Sequence, residues 1–368
     1  MSRSVPVRAP VRVTFLAMVV LGLVGVATGC RTETNSQPTT PSPRWTVMEN
    51  PEAEGWSSEG LETARAHSDS IGSAAVVVVH EGRIVDEWGE VERKFKCHSI
   101  RKSFLSALYG ISVQRGRIDP SATMGELGID DRNSLTEQEK TATVRMLLKA
   151  RSGVYHDALY ETPAMEAARP ERGSHAPGTN WYYNNWDFNA LGTIYEQETG
   201  TKIHQAFEDR IAEPIDMQSY EASDGEYVEG EDSVHPAYPF QMTARDMARF
   251  GLLFLRDGRW DGTQVVPEFW VKESTVPYSD ADEDGGYGYL WWVSMDGQHF
   301  EGIDQVPYGT YTVRGAGGHT LIVVPDLDLV LVHRVNTFED RDIPYAKVGT
   351  LLNQVVAAKD SWEDSPNY

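Results

Sequence analysis

Residues 74–80 read Ala-Ala-Val-Val-Val-Val-His, an unbroken β-branched run that predicts a buried strand. Glu81-Gly82 supplies a tight turn, and 83–88 returns as a second strand. Ahead of this pair, 57–66 predicts a helix, with Ser57 or Ser58 as cap and Leu61 and Ala64 on one face. After Ser99, Ile100, Phe104, Leu108 and Ile111 recur at i, i+4, i+8 and i+11. That spacing predicts a helix with a single apolar stripe, ended by Gly116. Thr136-x-x-Glu139 is a capping-box pattern before 144–150. Further helices are expected over 187–198, closed by Gly200, and over 203–211, stopped near Pro214. Thr243-x-x-Asp246 opens another over 247–255, closed by Gly258.

The pattern then changes. Residues 287–293 are aromatic and strand-like, and 310–313, 320–324 and 327–333 predict three more strands, the last two separated by Pro325-Asp326. Residues 348–358 close the chain as an apolar helix. Strands at both chain ends with helices between imply an α/β (α+β) fold: one sheet assembled from both ends, with a mostly helical lobe at about 100–275 inserted beside it. The cleft between such lobes is the expected place for a site.

The first residues do not belong to this pattern. Arg3, Arg8 and Arg12 precede a short apolar run, 13–26, followed by Ala27-Thr28-Gly29-Cys30. This reads as a secretory signal over 1–29. Small residues ending in Cys resemble a bacterial lipobox, which implies cleavage before Cys30 and lipidation of its thiol. Residues 30–44 are polar and rich in Pro, Ser and Thr, and read as a flexible tether. The body is expected at 45–362 and a tail at 363–368. Export to a bacterial cell envelope follows, with membrane attachment through the lipid on a face toward the periplasm or exterior.

Composition narrows the chemistry. The chain has 368 residues, 40% hydrophobic and 24% charged, so it folds rather than staying disordered. Its formal net charge of −22 argues against nucleic acid or an anionic membrane as a surface partner. The cysteines are Cys30 and Cys97 alone. With Cys30 lipidated, Cys97 has no disulfide partner and is expected to fill space as a small buried hydrophobe. No C-x-x-C pair, H-E-x-x-H helix, G-x-x-x-x-G-K-[ST] loop or G-x-S-x-G elbow occurs. Neither a metal nor a cofactor is expected. The acidic run 280–284 does not have the spacing of an EF-hand and reads as a solvated loop.

Three stretches carry candidate chemistry. In Ser99-Ile100-Arg101-Lys102 the serine opens a helix, and the lysine lies one turn on, on the same face. The helix start adds free N–H groups and partial positive charge where an oxyanion would form. In 177–185 (Pro-Gly-Thr-Asn-Trp-Tyr-Tyr-Asn-Asn) a loop can aim the Tyr183 phenol and the Asn185 amide into a cleft. In Arg314-Gly315-Ala316-Gly317-Gly318-His319 small residues at a strand edge let a ligand approach a main-chain N–H. Each alone has a plainer reading: a helix cap with a surface lysine, a packed aromatic, a β-bulge.

Together and in this order the three resemble the serine β-lactamase and penicillin-binding-protein superfamily. The likeness is closer to its class C β-lactamase-like branch, which also holds D-stereospecific peptidases, esterases and 6-aminohexanoate-dimer hydrolases. That branch uses S-x-x-K, Y-x-N and a K/H-x-G-like strand element. Here Ser99–Lys102, Tyr183-Asn184-Asn185 and, less well, Ala316-Gly317-Gly318 stand in those places. Arg151-Ser152-Gly153, Pro177-Gly178-Thr179 and Leu191-Gly192 also match. The resemblance implies that Ser99 is the acylated nucleophile, that Lys102 and Tyr183 share the proton work, and that Asn185 is an orienting amide. It assigns the oxyanion hole to the backbone N–H groups of Ser99 and His319.

Ala316 departs from the branch, where a Lys or His often holds a substrate carboxylate. Arg314 could restore that charge from two residues earlier. The implied function is an exported serine hydrolase cleaving an ester or amide, with a small-molecule or peptide-like substrate. The rival readings are a β-lactamase or D,D-peptidase, and a catalytically silent binding protein on the same fold. His98 and His156 are not needed by the pattern and read as polar loop residues. Tyr155, Trp181, Trp291 and Trp292 are candidates for a cleft lining or for core.

Overall fold

The structure, a computed structural model, describes residues 45–303 and 306–359. The expected signal, Cys30 and tether, and the tail at 363–368, lie outside the described residues.

At the N-terminal end come α1 (Ser58–Ile71), β1 (Ala75–His80) and β2 (Arg83–Gly89). Ser57 caps α1, its Oγ accepting the Gly60 N–H at 3.0 Å. The middle of the chain is mainly helical. It holds β3 (Phe95–Lys96), α2 (Arg101–Gln114), α3 (Val144–Leu148), α4 (Pro163–Ala168), α5 (Asn185–Thr199) and α6 (Ile203–Phe207). It continues through β4 (Gln241–Met242), α7 (Ala244–Leu255), β5 (Arg259–Trp260), β6 (Thr263–Gln264) and α8 (Glu268–Ser274). The chain then returns to the sheet in β7 (Ser279–Asp280), β8 (Gly286–Tyr287), β9 (Trp292–Val293), β10 (Tyr311–Gly315), β11 (His319–Val324) and β12 (Leu329–Arg334). It closes with α9 (Tyr345–Ala357).

The main sheet has the order β2-β1-β12-β11-β10-β9-β8-β7 and is antiparallel throughout. Strands from both chain ends thus share one sheet, with β1 paired to β12 from Ala75↔Arg334 to His80↔Leu329. Both faces are covered, which is why β1 reads as a continuous apolar run. Val76, Val78, Ile322 and Leu331 join Leu61 and Ala64 of α1 and Leu351, Leu352 and Val355 of α9 in one core. Val77, Val79, Val323 and Val332 face the other way, into the core shared with the helical middle. There α7 lies against the sheet. A Cβ on its Gly251 would come within 2.6 Å of Leu321 Cδ1 and 2.7 Å of Val330 Cγ1, so glycine sets how near the helix can lie.

Several local expectations are corrected. The helix after Ser99 has no exposed face over most of its length: every residue from Arg101 to Ser112 is buried. Its serines survive burial by bonding, as Ser103 Oγ does to the Leu290 carbonyl at 2.6 Å. The Thr136–Glu139 box forms, but it opens the 3₁₀ turn Glu139–Thr141, and α3 is capped instead by Thr143. The aromatic stretch 287–293 folds back on itself, β8 pairing with β9. Leu290 takes a left-handed φ of 65°, and a Cβ on Gly288 would sit 2.1 Å from the Ser274 carbonyl oxygen. Asn185 is the first residue of α5 rather than part of the preceding loop, and Asn184 is the cap, its Oδ1 accepting the Trp186 N–H.

Candidate active site

The three candidate stretches meet where α2 begins. His98–Ile100 forms a 3₁₀ turn that runs directly into α2. His98 holds a left-handed φ of 48°, uncommon for a residue with a Cβ. The turn presents Ser99 half-buried and sends Lys102 inward, 1% exposed. Lys102 Nζ lies 2.9 Å from Ser99 Oγ and 2.8 Å from the Tyr183 hydroxyl. It also sits over the Tyr183 and Phe188 rings, at 4.1 and 4.4 Å from their centroids. One amine therefore joins the other two groups, in a place where water is largely excluded.

That exclusion sets the protonation. Burial pushes the Lys102 amine well below its ordinary value, the neighbouring Arg101 charge pushes it further, and Glu161 opposes weakly. Burial pushes the Tyr183 phenol up to about 12, against the Ser99 hydrogen bond and the Arg101 and Arg314 charges. A neutral amine can take a hydroxyl proton, and a neutral phenol can give one. The pocket thus favours one acceptor and one donor beside the same Oγ.

Tyr183 is steered by aromatic packing against Phe188, Tyr287 and Trp292, at centroid distances of 5.0, 5.8 and 5.3 Å. Trp181 stands behind, packed on Tyr287 and Trp292. Trp181 and Trp292 are half-buried and Trp292 borders Tyr183, whereas Trp291 and Tyr155 are core residues. Asn185 is buried, and its Nδ2 donates to the Tyr160 carbonyl at 2.6 Å. Its Oδ1 has no hydrogen-bond partner among the described residues. The amide thus holds the 158–161 segment beside the site. Tyr160, itself at φ 66°, reaches His98 through its hydroxyl at 3.4 Å.

The strand that borders the nucleophile's turn is β10. A Cβ on Gly315 would lie 2.5 Å from the Cys97 carbonyl oxygen, so only glycine lets the strand end run this close. The hairpin turns through Gly317 and Gly318, both at positive φ, and pairs Gly315 with His319. Ala316 is exposed at the turn. The His319 ring is buried, with Nδ1 accepting from Arg334 Nε at 3.1 Å and Nε2 facing Thr337 Oγ1 at 3.4 Å. Arg314 does not stand free beside Ser99. Its guanidinium is buried over the Trp292, Phe300 and Tyr345 rings and donates to Asp284 Oδ1 at 2.5 Å and to the His299 carbonyl. Asp284, expected in a solvated loop, is therefore an ion-pair partner.

Sequence reasoning passed over four residues here. His98, read as a polar loop residue, bonds Thr337 Oγ1 through Nε2 at 2.9 Å, and burial pushes its imidazole down to about 4. His156 is buried beside Glu139 at 3.4 Å, also not at the surface. Arg334 ties β12 to the chain just before Ser99, donating to the Phe95, Lys96 and Met242 carbonyls at 3.0–3.1 Å. Asp187 is buried and holds Ser152 Oγ and Asn184 Nδ2 at 2.5 and 2.9 Å, joining the Arg151-Ser152-Gly153 loop to the start of α5. The one signal that could have flagged Asp187 is its place at the third position of a capped helix. Cys97 is buried, and burial pushes its thiol up to about 11, so it behaves as the space-filler expected.

Comparisons with known proteins bear on the family and the fold. Residues 59–351 match the beta-lactamase family. An uncharacterized protein from Alkalihalophilus pseudofirmus is 23% identical over 298 residues, 72% of this chain and 84% of that protein. Among solved structures, a candidate 6-aminohexanoate-dimer hydrolase from Bacillus anthracis aligns with TM-score 0.60 at 22% identity, covering 89% of this chain and 91% of its own. A beta-lactamase from Mycobacterium bovis aligns with TM-score 0.57 at 18% identity, over 81% and 98%. EstCE1, a hydrolase with promiscuous acyltransferase activity, gives 0.57 at 14% identity, over 82% and 97%. At these identities the structures speak to the fold.

Proposed function

The chain belongs to the beta-lactamase family, and from that premise we propose that it is a serine hydrolase cleaving an ester or amide through an acyl-enzyme on Ser99. The observation that carries this is the single Lys102 amine bonded to both Ser99 Oγ and the Tyr183 hydroxyl. As Oγ attacks the substrate carbonyl carbon, the Ser99 proton passes to Lys102 Nζ. The carbonyl oxygen becomes an oxyanion, received by the Ser99 N–H and a main-chain N–H of the β10–β11 hairpin. The close approach of Gly315 to Cys97 brings that hairpin beside the nucleophile's turn, and His319 is the donor the sequence reading assigns there. Each such donor is worth about 3–4 kcal/mol in the transition state. The leaving alcohol or amine departs with a proton relayed through Lys102 and Tyr183. Water then attacks the ester on Ser99 and gives a proton to the same pair; the acyl–Oγ bond breaks, the pair returns that proton to Oγ, and the acid leaves.

The substrate is read from what the strand lacks. Ala316 has no charge, and the Arg314 cation is already paired with Asp284. No basic side chain from β10 is left to grip a substrate carboxylate. This supports esters or amides without an obligatory carboxylate over β-lactams or D-Ala-D-Ala peptides. The half-buried Trp181 and Trp292 suit an apolar group on the substrate.

The test is labelling of residues 31–368 with a fluorophosphonate probe, followed by p-nitrophenyl butyrate and nitrocefin as substrates. Label at Ser99 with faster turnover of the ester is expected. A folded protein that takes no label leaves the binding-protein reading standing instead. Preferred turnover of nitrocefin would return the site to β-lactam chemistry.

We also propose export and anchoring through a lipid on Cys30, supported by the apolar run 13–26 and the small residues before Cys30. Full-length protein made in a bacterium should partition with membranes and incorporate labelled fatty acid. Cys30→Ala should lose both; fatty acid retained by that variant would disprove the anchor.

A further inference from the structure

Arg101 follows Ile100 in the nucleophile's own helix and has no exposed surface. Only one of its nitrogens is bonded: Nη2 donates to Asn189 Oδ1 at 2.8 Å. Nε and Nη1 have no partner among the described residues, and no carboxylate there forms an ion pair with it. The guanidinium lies over the Tyr238 ring at 4.2 Å and near the Tyr160 ring at 5.7 Å. Cation–π contacts soften the burial of this charge, but they do not cancel it. For packing alone, a buried methionine would be the cheaper side chain at this position.

The other charged and titratable groups around Lys102 are few. The turn before α2 gives Ser99, and the loop before α5 gives Tyr183, which borders Tyr287 of β8. The 158–161 segment gives Glu161, which is bound to Arg169 and whose carboxyl burial pushes up toward neutrality. From β10 comes Arg314, near Tyr183 but paired with Asp284. His204 of α6 near Arg101 is held neutral by burial. Among the described residues Arg101 is thus a charge at this site without a counter-ion, next in sequence to the amine.

We propose that Arg101 is a positioning residue of the site: an uncompensated buried cation that keeps Lys102 in its neutral, proton-accepting form. The guanidinium's partner Asn189 adjoins Phe188, whose ring centroid lies 4.4 Å from Lys102 Nζ, and like charges this near repel in a dry pocket, so a fixed guanidinium makes a second cation costly. The same charge favours loss of a proton from Tyr183. The first effect leaves the amine's lone pair free for the Ser99 proton, and the second eases the relay of a proton through Tyr183. The assignment deepens the serine-hydrolase reading and rests on it.

The test is the pH dependence of Ser99 phosphonylation, followed by p-nitrophenol release from a p-nitrophenyl phosphonate between pH 5 and 10. Arg101→Met should move the acid limb of the rate upward by about one pH unit or more. The variant is then roughly tenfold slower on the acid side and approaches wild type at high pH. Its melting temperature should hold or rise. Arg101→Lys, which keeps the charge and loses the fork, should leave the limb near wild type. Should Arg101→Met fail to fold, Arg101→Gln against Arg101→Lys reads the same contrast. Equal slowing at every pH, or an unmoved limb, would overturn the assignment while leaving Ser99 as nucleophile. A wild type that releases no p-nitrophenol overturns the hydrolase reading and this assignment with it.

Discussion

The two sides of Ser99 are built on opposite terms. On the side toward the sheet, Arg334 is buried with its donors spent on the Phe95, Lys96 and Met242 carbonyls and on His319. On the side toward the helical middle, Arg101 is equally buried and bonds once. Asn185 Oδ1 and Glu161 Oε1 there also lack a partner among the described residues. A saturated network resists movement and is costly to break. An unsaturated one is less stable but leaves charge and lone pairs to act on a neighbour. The first side is a frame that fixes where Oγ stands, and the second makes it reactive.

Substitutions can break that contrast, and the largest effect belongs to the reactive side. Lys102→Met should cut kcat/KM on a p-nitrophenyl ester by at least about 10⁴-fold, since nucleophile and base act as a unit. Its melting temperature should stay or rise, because a buried polar group is replaced by a hydrophobe. On the frame side the sign reverses. Arg334→Met leaves several buried acceptors empty and should cost about 3–5 kcal/mol in chemical denaturation. Its labelling rate per folded molecule should change far less than that of Lys102→Met. Loss of activity without loss of stability in Arg334→Met would erase the distinction.

A pH experiment sharpens it. Burial pushes His333, bonded to the Gly318 carbonyl and to Ser73, down to about 4. An unfolded histidine takes its proton near 6.5. Between those values the unfolded chain binds the proton and the folded one does not, so stability falls as pH drops from about 6.5 toward 4. The loss for this one group is at most about 3 kcal/mol. Melting curves at pH 7 and 4.5 should converge for His333→Gln relative to wild type. Smallest is Cys97→Ala, expected to cost about 1 kcal/mol and to leave the labelling rate near wild type. In the native protein Cys97 should react with a thiol reagent only on unfolding.

The sheet was legible where strands carry unbroken apolar runs, as in β1 and β11, and α1 where Ser57 supplies a cap. Local chemistry was enough there. The site stretches were legible by motif, and the structure brings Ser99, Lys102 and Tyr183 within hydrogen-bond reach of one another. What escaped depends on partners far along the chain. A serine and an arginine in α2 look like a polar face until Leu290 and Asn189 are known to meet them. Arg314 looks free until Asp284, thirty residues earlier, takes its charge. The run 287–293 has the composition of a strand, yet the Gly288–Ser274 contact and the backbone of Leu290 fold it into a hairpin. Side-chain type fixes propensity, whereas burial of polar groups is decided by whichever partner the fold delivers.

The pairing of β1 with β12 has a consequence for the newborn chain. β1 is among the first segments of the body to be made, and its neighbour β12 is among the last. Loop-closure entropy must be met before that contact gives anything back, so contact order is high and assembly waits for the end of synthesis. Until then the apolar faces of the middle helices have no sheet to cover them. Such a chain locks only once both of its ends have been made, so its sheet closes as the last event of its synthesis.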